Sequence, residues 1–212
     1  MNPILQEIKR VIKDNNLYNY LMDYAWLTGY LGNLDSRVWF IGENPSLRGV
    51  ISVHNRHSDR TENLQWNSHD GDRLFREALT EAGFKSGEPN KDEGWNCYIT
   101  NAIKEPEIVK DRNVKKGDAN YWKKQALYWL PILQLQIEHG KPIVLVAIGK
   151  TAFKILEYMK SNGLMAPQLD LIPHYSYIMF RPDSKTGLGP RHPRRIKEFK
   201  DSIYEIKKLY SA

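Results

Sequence analysis

The hydrophobic pattern of this chain changes repeatedly between the helical period and short apolar runs. In the first segment, apolar residues recur at spacings of three and four, at Ile4, Leu5, Ile8, Val11 and Ile12. A second apolar stretch covers residues 20–31. This spacing predicts a helical N-terminal extension over residues 1–32 that packs on the remainder of the chain.

Four short runs of β-forming residues follow, at residues 37–41, 96–100, 143–148 and 169–172. Segments with a helical pattern lie between and after them, at residues 70–83, 118–138, 149–162 and 194–210. The run at 143–148 is apolar on both faces, as in a central parallel strand. Strands that alternate with helices predict one domain over residues 1–212, a three-layer α/β/α fold with a mainly parallel sheet.

In such a sheet the ligand binds outside the carboxyl ends of the strands. Three polar features follow predicted strands at this edge. The turn Gly-Glu-Asn-Pro-Ser begins at residue 42, Asn101 follows the second strand, and His174 follows the fourth. Each feature also has an ordinary structural interpretation, as a tight bend, a strand-end cap or a packed histidine. Together they predict one crevice.

Composition narrows the choice of partner. The formal charge of +6 and the pI of about 9.2 favour a polyanion, although they also fit a mildly basic surface. No apolar run approaches the ~20 residues of a membrane span. The first segment has charges within its apolar stretch, unlike a signal peptide. We therefore expect a cytoplasmic protein that does not contact membranes.

The motifs for several common chemistries are absent. Val144 stands where a phosphate-binding loop before Gly149 would need a glycine. No Gly-x-Gly-x-x-Gly follows the first strand, and no Gly-x-Ser-x-Gly occurs. The single cysteine, Cys97, excludes an internal disulfide and a four-cysteine metal site. We expect no metal and no cofactor.

Five motifs in register resemble the uracil-DNA glycosylase superfamily. Its members have Gly-x-(Asp/Asn/Ala)-Pro after the first core strand. Its iron–sulfur branch continues with Phe-x-Gly-x-x-Gly, Tyr-Ile-Thr-Asn, Ala-Leu-Gly and His-Pro-Ser. The counterparts in this chain cover residues 42–46, 66–71, 98–101, 146–149 and 174–176. The resemblance extends from about residue 38 to the last helix.

This chain departs from that pattern in three ways. The cluster-binding cysteines are missing, so we predict no iron–sulfur centre. Tyr175 replaces the proline of His-Pro-Ser, which puts the geometry of that loop in doubt. Trp66 stands where the family has the phenylalanine that stacks on the flipped base, and tryptophan can also stack.

The resemblance implies a monofunctional DNA glycosylase that hydrolyses the N-glycosidic bond of a flipped uracil or 5-substituted pyrimidine. It assigns Asn44 to positioning the water and His174 to hydrogen-bonding the base O2. Glu43 is a second candidate for the water. The base pocket is expected to include Pro45, Ser46, Trp66, Asn101 and Ser176. We expect the protein to be a monomer. The residues expected to contact DNA are Arg48, Tyr177, Arg181, Arg191 and Arg194.

Ser46 bears on the choice of base. The strictest uracil enzymes of the family have a tyrosine after the motif proline that blocks the 5-position, and serine leaves space there. The expected pocket therefore tolerates a 5-substituent. One alternative is a phage-defence glycosylase that excises a bulky glucosylated hydroxymethylcytosine. Another is a non-catalytic DNA-binding module on the same fold.

Overall fold

The structure, a computed structural model, describes residues 31–44, 70–89, 91, 93–104 and 121–210, and positions 6 and 10. In these ranges the strands are Leu31–Gly32 (β1), Val38–Gly42 (β2), Tyr98–Asn101 (β3), Val144–Ile148 (β4) and Gln168–Ile172 (β5). The helices are Asp70–Glu81 (α1), Tyr121–Gly140 (α2), Lys150–Ser161 (α3), Tyr175–Phe180 (α4) and Pro193–Tyr210 (α5).

The strands form one sheet in the order β1-β3-β2-β4-β5. Strands β2, β3, β4 and β5 run parallel, and β1 pairs with β3 in the antiparallel sense. The predicted mainly parallel sheet is therefore confirmed. Every residue of β4 is buried, as its apolar run predicted, because a central parallel strand is covered on both faces.

Successive residues of a strand point to opposite faces of the sheet, and each face has its own hydrophobic core. Trp39, Ile41 and Leu145 lie in the core with helices α2 and α3. Phe40 and Val146 lie in the other core, with helices α1, α4 and α5. The sheet is thus covered on both sides by helices, which confirms the three-layer arrangement.

The structure differs from the sequence prediction at two places. Leu31 and Gly32, at the end of the stretch predicted to be helical, form β1 and pair with Ile99 and Tyr98. A two-residue edge strand is too short to show an alternating pattern, so it could not be distinguished from the apolar stretch before it, which was predicted to be helical. The segment between β5 and the last predicted helix, for which the hydrophobic pattern predicted no helix, contains the six-residue helix α4. Apart from positions 6 and 10, the remainder of the predicted N-terminal extension lies outside the described residues, as do the segments 45–69 and 105–120.

Candidate active site

The carboxyl ends of β2, β3, β4 and β5 lie at one edge of the sheet, because these strands are parallel. Across this edge the chain places, in spatial order, Asn101 after β3, Asn44 after β2, Gly149 after β4 and His174 after β5. The fold therefore brings the described candidates for catalysis to the edge at which open parallel sheets bind ligands.

The ends of β2 and β3 are joined closely. Gly42 and Asn101 are partners in the last pair of the ladder. Beyond it, the amide of Ala102 donates to the carbonyl of Gly42 and that of Ile103 to the carbonyl of Glu43, both at 2.9 Å. A Cβ on residue 42 would overlap Oδ1 of Asn101. Glycine at position 42 therefore makes room for the amide of Asn101 over the end of β2.

Glu43 and Asn44, the two candidates for handling water, follow β2 directly. Both are half-buried, and both make interactions within the protein. The bond from Ile103 to the carbonyl of Glu43 fixes this part of the turn against the segment after β3. Both side chains therefore start from the edge that holds Asn101. Pro45, Ser46, Arg48 and Trp66 lie outside the described residues.

His174 is the N-cap of helix α4, and its ring is oriented by Ser176. The backbone amide of Ser176 donates to Nδ1 of His174 at 3.1 Å, and the hydroxyl of Ser176 lies 2.8 Å from the same nitrogen. A backbone amide can only donate, so Nδ1 is the acceptor. In a neutral imidazole the proton then lies on Nε2. Ser176, expected to bind the base, contacts His174 in this structure.

Gly149 fits closely against His174. Its φ of +89° favours glycine, and its amide donates to the carbonyl of Ile172 at 2.9 Å. A Cβ on residue 149 would lie 2.8 Å from Cβ of His174 and 3.2 Å from Cδ2 of that ring. The absence of a side chain at the end of β4 thus determines how closely His174 approaches the centre of the sheet edge.

We expect Gly149→Ala to lower the rate of any reaction that depends on His174 by about 10- to 100-fold. Displacing a catalytic side chain by roughly 1 Å can cost about that much. Carbon atoms in ordinary contact are about 3.5–4.0 Å apart, so the new methyl must displace the histidine from 2.8 Å. Single-turnover kinetics measures the loss. Gly163→Ala is a matched control, because Gly163 has a φ of +105° and an added Cβ there would meet nothing within 4 Å. Equal rates for the two variants would contradict the role of Gly149.

Tyr175 resolves the doubt that the sequence raised about the loop after β5. Its ring stacks on Phe75 of α1, with centroids 5.5 Å apart and planes at 18°. Its hydroxyl hydrogen-bonds to Asp72 of α1, and burial, together with that carboxylate, raises the pKa of Tyr175 well above its usual value. The hydroxyl therefore stays protonated as a donor. Tyr175 anchors the start of α4 to α1 where the family pattern has proline.

A sequence model of the uracil DNA glycosylase superfamily matches residues 30–199. The chain belongs to this superfamily. The match covers all the described candidates at the sheet edge and both layers of helices, apart from residues 200–210 at the end of α5. Comparison with curated proteins finds no significant match. The fold is therefore the three-layer α/β/α fold of uracil DNA glycosylases, in a family whose members are generally DNA glycosylases and act on DNA.

In this glycosylase fold, α4 presents large side chains to the solvent beside His174. Tyr177 is 57% exposed and Phe180 is 42% exposed. The guanidinium of Arg181 lies 5.4 Å from the centre of the Tyr177 ring, a distance that allows a cation–π contact. Two apolar rings and one cation therefore stand next to the candidate active site.

The other two described arginines that were expected to contact DNA form ion pairs within the protein. Arg191 pairs with Asp70 at 2.7 Å, and Arg194 pairs with Glu198 at 2.9 Å. All four side chains are at least one-third exposed, and exposed pairs of this kind contribute about 0–1 kcal/mol. Phosphate groups can compete for arginines held so weakly.

Arg195 supports the candidate site and was missed by the sequence analysis, because it lies among the many basic residues of the C-terminal segment. Its side chain is buried and donates to four backbone carbonyls: Arg181 at 2.6 Å, Tyr177 at 2.8 Å, Gly189 at 3.0 Å and Leu188 at 3.5 Å. These bonds tie the end of α4 to α5. Arg195 thus holds the helix that His174 caps.

The residues of this chain do not fit an iron–sulfur cluster. Such clusters are held by several cysteine thiolates, and Cys97 is the single cysteine of the chain. Its side chain has no exposed surface, and burial raises the pKa of its thiol. Among the described helices, none is both long and apolar enough to cross a membrane.

Proposed function

We propose that this protein is a monofunctional DNA glycosylase that hydrolyses the bond between a flipped uracil or 5-substituted pyrimidine and its deoxyribose. Membership of the uracil DNA glycosylase superfamily supports this activity. The observation that carries it is the orientation of His174. The amide of Ser176 holds Nδ1 as an acceptor, so a neutral ring offers its N–H at Nε2.

That donor suits the charge that develops during cleavage. When the C1′–N1 bond breaks, its electron pair moves onto the base and is delocalised to O2. An N–H group aimed at the position of developing charge favours the transition state over the ground state. Water then adds to C1′ and loses a proton, and the departing base gains one. The proposed role of His174 is hydrogen-bond donation to O2.

Asn101 is the proposed reader of the base. A side-chain amide offers one oxygen acceptor and an NH₂ donor, which match the neighbouring carbonyl and N–H on the edge of uracil. The orientation of this amide is supported by its packing on Gly42. Enzymes that flip a base read it by hydrogen bonds to this edge.

The exposed side chains of α4 are the proposed DNA wedge. Apolar residues inserted between base steps unstack the duplex and help to expose one nucleotide. Tyr177 and Phe180 are large, exposed and close in sequence to His174. Arg181, beside the Tyr177 ring, and the weakly paired Arg191 and Arg194 would bind phosphates.

The specificity of the proposed pocket is tested by a panel of oligonucleotides that each carry one candidate base. The panel contains uracil, thymine, hydroxymethylcytosine and glucosylated hydroxymethylcytosine, with unmodified cytosine as the control. Alkali cleaves the strand at every abasic site formed. We expect cleavage with at least one 5-substituted base, because Ser46 is smaller than the tyrosine that excludes such groups.

The panel also separates the alternatives. Excision of uracil alone would refute the pocket that tolerates a 5-substituent. Excision confined to the glucosylated base would support a role in defence against modified phage DNA. Binding to the oligonucleotides without abasic sites would show a DNA-binding module and refute the proposed enzyme.

A further inference from the structure

Lys104 is completely buried, at the end of the turn that follows β3. Its Nζ donates to Oγ1 of Thr100 at 2.7 Å, to the carbonyl of Asn101 at 2.7 Å and to Oε1 of Gln136 at 2.8 Å. Gln136, also buried, lies on α2 and donates in turn to the hydroxyl of Tyr98 at 3.1 Å. Lys104 thus connects the carboxyl end of β3 to α2, and Gln136 connects α2 to the first residue of β3.

A fully buried lysine is rare, because removing an ammonium group from water costs several kcal/mol. Burial lowers the pKa of Lys104 well below its usual value. The three oxygen atoms within 2.8 Å oppose that shift, since hydrogen bonds to the charged form favour it. A lysine amino group has up to three donors, and each has an acceptor here. The site is therefore built around this side chain.

Two of the three acceptors belong to the residues that end β3. The carbonyl held by Lys104 is that of Asn101 itself, and the hydroxyl is that of the preceding residue, Thr100. On its other side, Asn101 is limited by Gly42, against which Oδ1 packs. The backbone of Asn101 is thus held by Lys104 through its carbonyl, while its side-chain amide packs against Gly42 at the end of β2.

We propose that Lys104 is a positioning residue that holds Asn101 in the orientation needed to read the base, and so contributes to base selectivity. The inference rests on the proposed glycosylase function for its kinetic test. Without the amino group, three acceptors, two of them buried, lose a donor and the turn after β3 can relax. A relaxed turn moves the amide of Asn101. The excision rate of bases that the pocket normally rejects then rises relative to that of the preferred base.

A second buried lysine supplies a matched control. Lys85 is 1% exposed, and its Nζ donates to the carbonyls of Ser86, Glu88 and Glu93 at 2.8–3.2 Å. It bridges to Trp95, at the amino end of β3, whereas Lys104 lies beyond the carboxyl end. Lys85→Met therefore removes a comparable buried amino group from the end of the strand opposite the candidate active site.

The test compares the full-length wild-type protein, K104M, K85M and N101A by melting temperature and by single-turnover excision of two bases. We expect both methionine variants to lower the melting temperature. K104M, like N101A, should reduce the ratio of rates for the preferred and second-best bases by about 10-fold, and K85M should leave it unchanged. An unchanged ratio in a folded K104M would overturn the proposal. A ratio equally reduced in K85M would also overturn it, because the effect would then follow from lost stability.

Thr100→Val is the second variant if K104M does not fold. It keeps the volume of the buried residue and removes the oxygen that Lys104 binds, so a smaller fall in the same ratio is expected; an unchanged ratio would oppose the proposal. A wild-type protein that forms no abasic sites would refute the proposed function itself. Crystal structures of K104M and K85M then decide the positioning role: displacement of the Asn101 amide from Gly42 in K104M alone supports it, and an unmoved amide overturns it.

Discussion

Replacing His174 with alanine is expected to lower the rate of base excision by about 10²- to 10³-fold, the cost of losing one donor to a developing negative charge. The donor in question is Nε2–H, and the amide of Ser176 keeps it in this tautomer by binding Nδ1. Water that enters the space left by the ring cannot replace an oriented donor. Single-turnover kinetics at saturating enzyme measures the chemical step without the contribution of DNA binding.

Two further variants separate catalysis from helix capping. His174→Asn keeps a side-chain acceptor for the start of α4, since asparagine is a good N-cap, but removes Nε2; its rate should fall as in H174A. His192→Ala removes a histidine with the same local geometry, because Nδ1 of His192 accepts from the amide of Arg194 at 3.3 Å. It should excise at the wild-type rate. Excision by H174A at a rate near that of the wild type would contradict the assignment.

The sheet, and the edge at which the candidate residues meet, could be predicted because they depend on short-range patterns. The apolar run that forms β4 and the turn after β2 both depend on neighbouring residues. Parallel strands then bring residues distant in sequence, such as Asn101 and His174, to one edge without any knowledge of their contacts. The predicted strands agree with the observed ones to within two residues at each end.

The residues that hold the candidate site in place could not be predicted, because each depends on a partner that is distant in sequence. Lys104 begins a segment that is charged in sequence, and only the positions of Gln136 and β3 show that it is buried. The replacement of proline by Tyr175 becomes understandable once Phe75 and Asp72 lie beside it. Hydrophobic periodicity contains no information about such pairs.

Replacing Asn44 with alanine is expected to lower excision by about 10²- to 10³-fold, as loss of a positioned polar group typically does. Asn44 follows β2 at the edge that holds Asn101, and it is half-buried. An amide oxygen can accept a hydrogen bond from water and so direct a lone pair of that water towards C1′. The protonation state of an amide does not change near neutral pH, so water positioning by Asn44 makes no contribution to the pH dependence of the rate.

That property separates Asn44 from Glu43, the alternative. If the Glu43 carboxylate removes a proton from water, the wild-type rate falls as acid protonates the carboxylate, and Glu43→Gln removes this acid limb together with most of the activity. If Asn44 positions the water, Glu43→Gln costs less than Asn44→Ala and leaves the pH profile unchanged. We expect the second result, measured by single-turnover rates across the acidic range. A larger loss of rate in Glu43→Gln than in Asn44→Ala would assign the water to Glu43. Near-wild-type rates in both Asn44→Ala and His174→Ala would refute the mechanism. Neither the attacking water nor the departing base would then depend on this edge of the sheet.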